Sequence, residues 1–297
     1  MAIDTAIVPV AGLGTRLLPV SLATPKELLP LGQKPALQWI LEELGAAGIC
    51  RVILVTSPGK RNIDRPFRTH PSLEQTLVDR GKTESLDGLW VRSRFAGMQI
   101  ETVVQDQPLG LGHAIGCARH LIPPDQSVVV ALGDCLIGLR GDGVTLQRML
   151  ETARHRQAEI VIAFEHVPLS NVSRYGIAVP AETGAVFRLN DLVEKPAPES
   201  APSQLAIAGR YVLSSRIFDV LESTQADASG EIQLTEALRT MIRQNGSAFG
   251  VRLPEPTRRY DVGNWSSYLE AFFEFGWADP MLGPMMRKIF AERAGHD

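Results

Sequence analysis

The most constraining feature of the chain is a short apolar run, residues 5–10, that passes directly into a glycine-containing turn, Ala11-Gly-Leu-Gly-Thr-Arg16, with Pro25-Lys-Glu-Leu-Leu-Pro30 following. A buried strand ending in Gly12-x-Gly14 lets backbone approach a ligand closely and leaves amides free to face phosphate. The spacing excludes two well-known phosphate loops. A dinucleotide fingerprint needs a third glycine where Leu17 stands, and a Walker A loop needs a Gly-Lys-Ser/Thr that does not follow. Arg16 and Lys26 beside one glycine turn suit a triphosphate. Spacing alone leaves equal room for an ordinary tight turn with both cations solvated.

Residues 51–56, 100–104 and 127–132 read as further apolar strands, with helices over 34–47 and 112–121. Leu37, Ile40, Leu41 and Leu44 share one face of the first helix, and Gly48 stops it. Residues 57–97 are polar and mixed, and read as helices outside the sheet. Strands alternating with helices imply parallel pairing with both faces covered. Beyond residue 163 the pattern changes. Strands at 176–179, 186–193 and 206–213 come without long helices between them, and Pro196, Pro198 and Pro202 mark a loop. Helices return at 215–222 and 232–244. A short strand near 258–262 precedes helices at 265–277 and 281–294. The expected fold is α/β: a Rossmann-like, mixed and mainly parallel central sheet flanked by helices. The expected organisation is a nucleotide-binding half over 1–150, a mixed half over 151–262 and C-terminal helices over 263–297. Whether one sheet runs through both halves is open.

Composition bounds the function. Thirty basic against thirty-three acidic residues give a net charge of −3, so no global basic field exists to grip nucleic acid or anionic lipid. Hydrophobic residues at 44% and charged residues at 21% exclude a disordered chain or a coiled-coil rod. The three cysteines, Cys50, Cys117 and Cys135, are odd in number and widely spaced, so buried thiols are expected rather than a disulfide framework or a CxxC metal pair. Asp4 precedes the apolar start and Arg16 follows it, the reverse of a signal peptide's charge order. No stretch reaches the ~20 apolar residues of a membrane span. A soluble, cytoplasmic protein with neither nucleic acid nor membrane as partner is expected.

The glycine turn through Pro19 and the Pro25–Pro30 segment together resemble the signature of the sugar-1-phosphate nucleotidylyltransferases. The resemblance is nearest to the bacterial UTP–glucose-1-phosphate uridylyltransferases and covers almost the whole chain. Pro71 to Lys82 is similar to a helical insertion of that family, and Gln105-x-x-x-x-Gly-Leu-Gly-His-Ala114 to its nucleotide loop. Val193-Glu-Lys-Pro196, Ala206-Ile-Ala-Gly-Arg-Tyr-Val-Leu213, Gly230-Glu-Ile-Gln-Leu-Thr-Glu236 and Tyr260-Asp-Val-Gly-Asn264 follow in the family's order.

The resemblance implies the nucleotide-diphospho-sugar transferase type of fold and Mg2+-dependent formation of UDP-glucose and pyrophosphate from UTP and glucose 1-phosphate. It implies that Ala11, Gly12, Gly14 and Thr15 bind the nucleotide, Gly12 by main chain, with Arg16 and Lys26 stabilising the α-phosphoryl group and departing pyrophosphate. Gln105 falls on the residue that meets the pyrimidine edge, where an amide offers both donor and acceptor. Gly110 is small where base or ribose packs. Asp134, after the 127–132 strand, and Asp261 fall on carboxylates that bind Mg2+. Glu194 would accept from sugar hydroxyls, Lys195 would hold the sugar phosphate, and Gly176 would touch the sugar by main chain. Read without the family, Gln105 is a surface glutamine, Asp261 a turn residue and Glu194-Lys195 a solvated pair at a strand end. Strand alternation would send those two side chains to opposite sides unless Pro196 breaks the strand.

The implied reaction is in-line attack by a sugar-phosphate oxygen on the α-phosphorus. The nucleophile is already an anion, so no general base or covalent intermediate is required, and His113 reads as structural. The sequence departs from the family at several points. Leu22 replaces a lysine, Gly133 and Cys135 flank Asp134, and Gly138 stands where an acidic residue is common. Trp265 and Ser267 replace a lysine and a glycine after Asp261, and the indole is expected to reshape the sugar pocket. Two alternatives stay open: the same chemistry with another nucleotide or sugar phosphate, such as dTTP, and a non-catalytic regulatory relative. The apolar C-terminal helices, with the family's habit, imply a homodimer or homotetramer.

Overall fold

The computed structural model describes residues 3–244 and 246–294. Its strands are β1 (Thr5–Pro9), the two-residue β2 (Pro30–Leu31) and β3 (Lys34–Pro35), β4 (Arg51–Thr56), β5 (Gln99–Val104), β6 (Val128–Ala131), β7 (Cys135–Ile137), β8 (Ile160–His166), β9 (Gly176–Pro180), β10 (Val186–Glu194), β11 (Leu205–Leu213), β12 (Ala248–Arg252) and β13 (Arg259–Asp261). Nine of them make one sheet in the order β5-β4-β1-β6-β11-β8-β12-β10-β9. Pairing is parallel across β5-β4-β1-β6 and between β8 and β12, and antiparallel elsewhere. The sheet is therefore mixed and helix-flanked, as the sequence pattern implies. It also passes through both halves of the chain, because β11 sits between β6 and β8. The last three residues of the 263–297 segment, and the first two of the chain, lie outside the described residues.

The helices are α1 (Val20–Ala23), α2 (Ala36–Ala46), α3 (Pro71–Asp79), α4 (Gly110–Cys117), α5 (Val144–Arg156), α6 (Arg216–Ser223), α7 (Leu234–Arg243), α8 (Trp265–Ala278) and α9 (Leu282–Ala294). Side-chain alternation splits the interior into two cores. Ala6, Val8, Val52 and Leu54 face one side, where α2 and α5 pack. Ile7, Ile53 and Val55 face the other, where α4, α6 and α7 pack. None of the described helices is long and apolar enough to cross a membrane.

Several elements differ from expectation. Between 57 and 97 only α3 is α-helical, and the rest is short 3-10 turns such as Pro58–Lys60, Arg65–Phe67 and Trp90–Arg92. Pro58, Gly59, Pro66, Gly81 and Gly88 interrupt the segment too often for longer helices. The 112–121 helix ends at Cys117 and continues as a 3-10 turn. The elements read from the sequence lack β8 and α5, although Ile160 to Phe164 is a continuous apolar run and Leu146, Met149, Leu150 and Ala153 share one helical face; they also lack β12, in which Gly250 lies under the Phe187 ring. The expectation of buried cysteines holds for Cys135, while Cys117 is half-buried and Cys50, after the α2–β4 turn, is exposed.

Candidate active site

The parallel strands β1, β4, β5 and β6 all end at one edge, and each delivers a polar feature there: the glycine turn, Lys60, Gln105 and Asp134 in that order. Strands β4 and β6 flank β1 on opposite sides, and this switch in order opens a crevice beyond the carboxyl ends. Gly133 makes the approach possible: a Cβ there would meet Val10 Cγ1 at 2.5 Å and Pro9 O at 2.9 Å.

Two adjoining cavities occupy the crevice. The first, about 460 Å³, is lined by Ala11, Gly12, Gly14 and Thr15 together with Lys26, Gln105, Gly110 and Glu231. The second, about 490 Å³, is lined by Arg16, Gly176, Glu194, Lys195, Thr235 and Asp261. Asp134 and Leu132 line both, so Asp134 stands in the shared wall. The residues singled out from the sequence thus gather in one place; the glycine turn, Lys26, Gln105 and Gly110 line the first cavity and Gly176, Glu194 and Lys195 the second, while Arg16, expected beside the triphosphate, lines the second instead.

In the shared wall, Lys26 Nζ donates to Asp134 Oδ2 at 2.5 Å. Burial works against the Lys26 ammonium, but Asp134 and Glu27 outweigh it and raise its pKa above the usual lysine value. Burial likewise pushes Asp134 upward, and the Lys26 charge overrides this to hold the carboxyl below its usual range. The next side chain, Glu27, points away and is buried against Lys60, whose Nζ reaches both carboxylate oxygens at 2.9 and 3.1 Å. Burial raises the Glu27 pKa against the opposing pull of Lys60 and Lys26.

Gln105 is buried, not a surface side chain. Its Nε2 lies 3.1 Å from Gly110 O and 2.9 Å from His113 Nδ1, so the amide donor is spent inside the protein and Oε1 is left for a ligand. The donor half of the contact expected with the base is therefore engaged within the protein. His113 acts as the expected structural group. Gly110 lines the first cavity and has a further need to be glycine: it has φ +92°, and a Cβ would meet Glu231 Cβ and Ile232 O at 2.9 Å. The glycine lets the 231–232 segment dock on the loop.

In the second cavity β10 ends at Glu194 and Lys195 takes φ +45°, so the two side chains fall on one side and pair at 3.1 Å. Strand alternation is broken as Pro196 suggests. Thr235 Oγ1 donates to Glu194 Oε2 at 2.9 Å, and Lys195 N to Tyr175 O at 3.0 Å. Asp261 is paired through the β7–β13 ribbon with Cys135, next to Asp134, and Val262 N donates to Asp134 O at 3.0 Å. Asp261 Oδ1 accepts from Gly263 N at 2.6 Å and Ser267 Oγ at 3.2 Å. Arg16 is exposed at the same corner, its Nη2 3.4 Å from where a Gly263 Cβ would lie.

The family departures acquire locations. Leu22 is exposed on α1. Gly138 lies in a separate cavity of about 390 Å³ at the far end of the ribbon, away from Asp134. Trp265 is not a lining residue of the second cavity, where Asn264 stands instead; its ring lies edge-on to Tyr268 with centroids 6.3 Å apart. The expected reshaping of the pocket by the indole is therefore not seen. Ser267 does what a glycine could not, donating to Asp261.

Sequence reasoning missed Lys60, Thr235 and Arg210. Arg210 is fully buried, with Nε and Nη2 on the Glu43 carboxylate at 3.0 and 2.7 Å and Nη2 on Cys135 O at 2.9 Å. A single cation in the otherwise apolar Leu205–Leu213 was its available signal, and Lys60 could have been found as the first cation after the strand next to β1.

The nucleotidyl transferase family pattern matches residues 5–275. The chain belongs to that family. Among curated relatives, the UTP–glucose-1-phosphate uridylyltransferase YngB of Bacillus subtilis strain 168 is 41% identical over 276 residues, covering 93% of this chain and 90% of its own. The UTP–glucose-1-phosphate uridylyltransferase of Staphylococcus epidermidis strain RP62A is 38% identical and covers 98% of both chains. Among solved structures, UTP-bound UGPase from Acinetobacter baumannii superposes with a TM-score of 0.88 at 34% identity, covering 98% of this chain and 99% of that one. A UDP-glucose pyrophosphorylase complexed with UDP-glucose gives a TM-score of 0.77 at 33% identity, covering 92% and 98%. This nucleotidyl transferase therefore shares its fold, over nearly its full length, with enzymes of one named activity.

Proposed function

We propose that the chain is a UTP–glucose-1-phosphate uridylyltransferase that forms UDP-glucose and pyrophosphate. The observation that carries the reading is the pair of cavities meeting at Asp134, one lined by the glycine turn and Gln105, the other by Glu194 and Lys195. The first takes the nucleotide and the second the sugar phosphate, so residues 1–150 supply the nucleotide half, 151–262 most of the sugar-phosphate half, and the described part of 263–297 the outer helices.

Uracil offers one donor, N3–H, between two carbonyls. Gln105 Oε1 supplies the acceptor and the turn amides the donors. Lys26 neutralises the triphosphate from the first cavity, Arg16 reaches it from the second, and Lys195 neutralises the sugar phosphate, so two polyanions can approach in line. A sugar-phosphate oxygen then forms a bond to the α-phosphorus as the bond to the bridging α–β oxygen breaks, and pyrophosphate leaves carrying that oxygen. Glu194 accepts from sugar hydroxyls, and the Gly176 main chain closes the sugar's other side.

Asp134 and Asp261 fit a hard divalent cation such as Mg2+. Asp134 Oδ1 and Asp261 Oδ2 have no side-chain donor among the described residues, and both carboxylates line the second cavity. No group of three or more His, Cys, Asp or Glu side chains is placed to hold a metal among the described residues. When bound, the cation supplies charge neutralisation at the α-phosphoryl oxygens.

The C-terminal helices expose Leu269, Phe272, Met285, Ile289 and Phe290, an apolar face suited to a homodimer or homotetramer. A cytoplasmic enzyme is the matching location. The deciding experiment measures pyrophosphate release with Mg2+, crossing four nucleoside triphosphates with a panel of sugar 1-phosphates. Release confined to UTP with glucose 1-phosphate is expected. A different productive pair moves the substrate, and no release from protein that binds nucleotide overturns the enzymatic reading.

A further inference from the structure

Lys60 lies on the 3-10 turn after β4 and does not line either substrate cavity, yet its ammonium has four acceptors. Nζ donates to Val10 O at 3.0 Å and Gly12 O at 2.5 Å, and to the two Glu27 oxygens at 2.9 and 3.1 Å. The side chains of Lys60 and Glu27 are only 10% and 1% exposed. A buried ion pair of this kind is a poor source of net stability, because desolvation offsets most of its Coulomb gain. Its geometry has a consequence for the turn. A trans peptide is planar, so its C=O and N–H point in opposite directions. Drawing Val10 O and Gly12 O toward Lys60 turns the N–H groups of Ala11 and Leu13 the other way. Ala11 and Leu13 line the nucleotide cavity, and no described residue accepts from the amides of residues 11–14.

We infer that Lys60, held by Glu27, is a positioning residue for the nucleotide: it aims the main-chain donors of the glycine turn at the acceptor oxygens of the bound triphosphate's base and ribose. Glu27 also adjoins Lys26, so the same pair sets the turn that carries the triphosphate-binding cation. The inference rests on the nucleotide assignment of the first cavity.

The test compares the intact wild-type chain with Lys60→Met and with Glu27→Gln/Lys60→Met. The double variant removes both charges, so no unpaired carboxylate remains, and it carries the test if the single variant does not fold. UTP affinity is read by calorimetry, KM for glucose 1-phosphate at saturating UTP, and folding by thermal melting. In the folded variants, Kd for UTP is expected to rise on the order of tenfold or more, while KM for glucose 1-phosphate stays within about threefold. A double variant that melts cooperatively and binds UTP like wild type overturns the inference, since the pair would then be merely structural. Equal losses in both substrates overturn it as well. Failure of the underlying assignment is seen separately, as wild-type protein that binds no UTP; the variants are then compared with the triphosphate that the release screen identifies.

Discussion

Lys26 and Asp134, 108 positions apart in the chain, form an ion pair in the wall shared by the two cavities. Each stabilises the other's charged state. Under the proposed function, a triphosphate entering the first cavity would compete with Asp134 for the ammonium, so that substrate arrival would exchange one anion for another around a fixed cation.

If that is so, Lys26→Ala and Lys195→Ala each lower turnover on the order of 100-fold while the protein still melts cooperatively. Steady-state pyrophosphate release beside a thermal melt checks this. Near-normal turnover in both would remove them from the assigned roles.

Gln105 has only its carbonyl oxygen left for the base, because Nε2 is engaged by Gly110 O and His113. Uracil presents a proton at N3 and cytosine an acceptor. Gln105→Leu is therefore expected to cost roughly 1–3 kcal/mol of the preference for UTP over CTP, read as the ratio of their kcat/KM values. An unchanged ratio would mean that the amide does not read the base.

The Glu43–Arg210 pair is buried on both sides and holds the carbonyl of Cys135, one residue from Asp134. Arg210→Met leaves a buried carboxylate alone and is expected to cost about 3–5 kcal/mol, while Glu43→Leu/Arg210→Met recovers most of the loss. Urea unfolding of the four proteins in this cycle gives the coupling energy directly.

Asp191 titrates below the usual carboxylate range. Burial pushes it up, but the Leu192 N–H and the Arg239 and Arg243 guanidiniums outweigh that. A lowered folded-state pKa contributes stability above the unfolded value of about 3.9, which is lost as pH falls through the folded value. Asp191→Asn should make the acid limb of the stability curve shallower below about pH 4 and leave its alkaline side unchanged. Denaturant midpoints from acid to neutral pH test the slope.

Burial pushes the Cys135 thiol up to about 12, whereas Cys50 is exposed. At mildly alkaline pH an alkylating reagent should modify Cys50 first and Cys135 only on unfolding. Mass spectrometry of partially labelled protein distinguishes the two, and early labelling of Cys135 would contradict its burial.

The sequence made β1, β4, β6 and the turn after β1 legible because a parallel strand buried on both faces leaves an uninterrupted apolar run, and a ligand-facing turn leaves glycines at fixed spacing. It left β12 obscure because Gly250 carries no hydrophobic signal, being there to admit Phe187. Gln105 looked like a surface residue because a local pattern cannot show that Gly110 and His113 fold back over it. Trp265 looked like a pocket residue because proximity to Asp261 in sequence is not proximity in direction: the start of α8 turns the indole toward Tyr268.

The chain's own sequence determined which chemical groups were available: the glycine turn, the cations Arg16, Lys26 and Lys195, and the carboxylates Asp134, Glu194 and Asp261, each tied to a strand end or turn that local patterning sets. The tertiary structure alone decided which of them meet. Lys26 finds Asp134, Lys60 finds Glu27 and the turn carbonyls, and Arg210 finds Glu43 across 167 positions. Such pairings depend on strand order and on which face of the sheet each element packs against. Those are properties of long-range burial, and no window of neighbouring residues contains them.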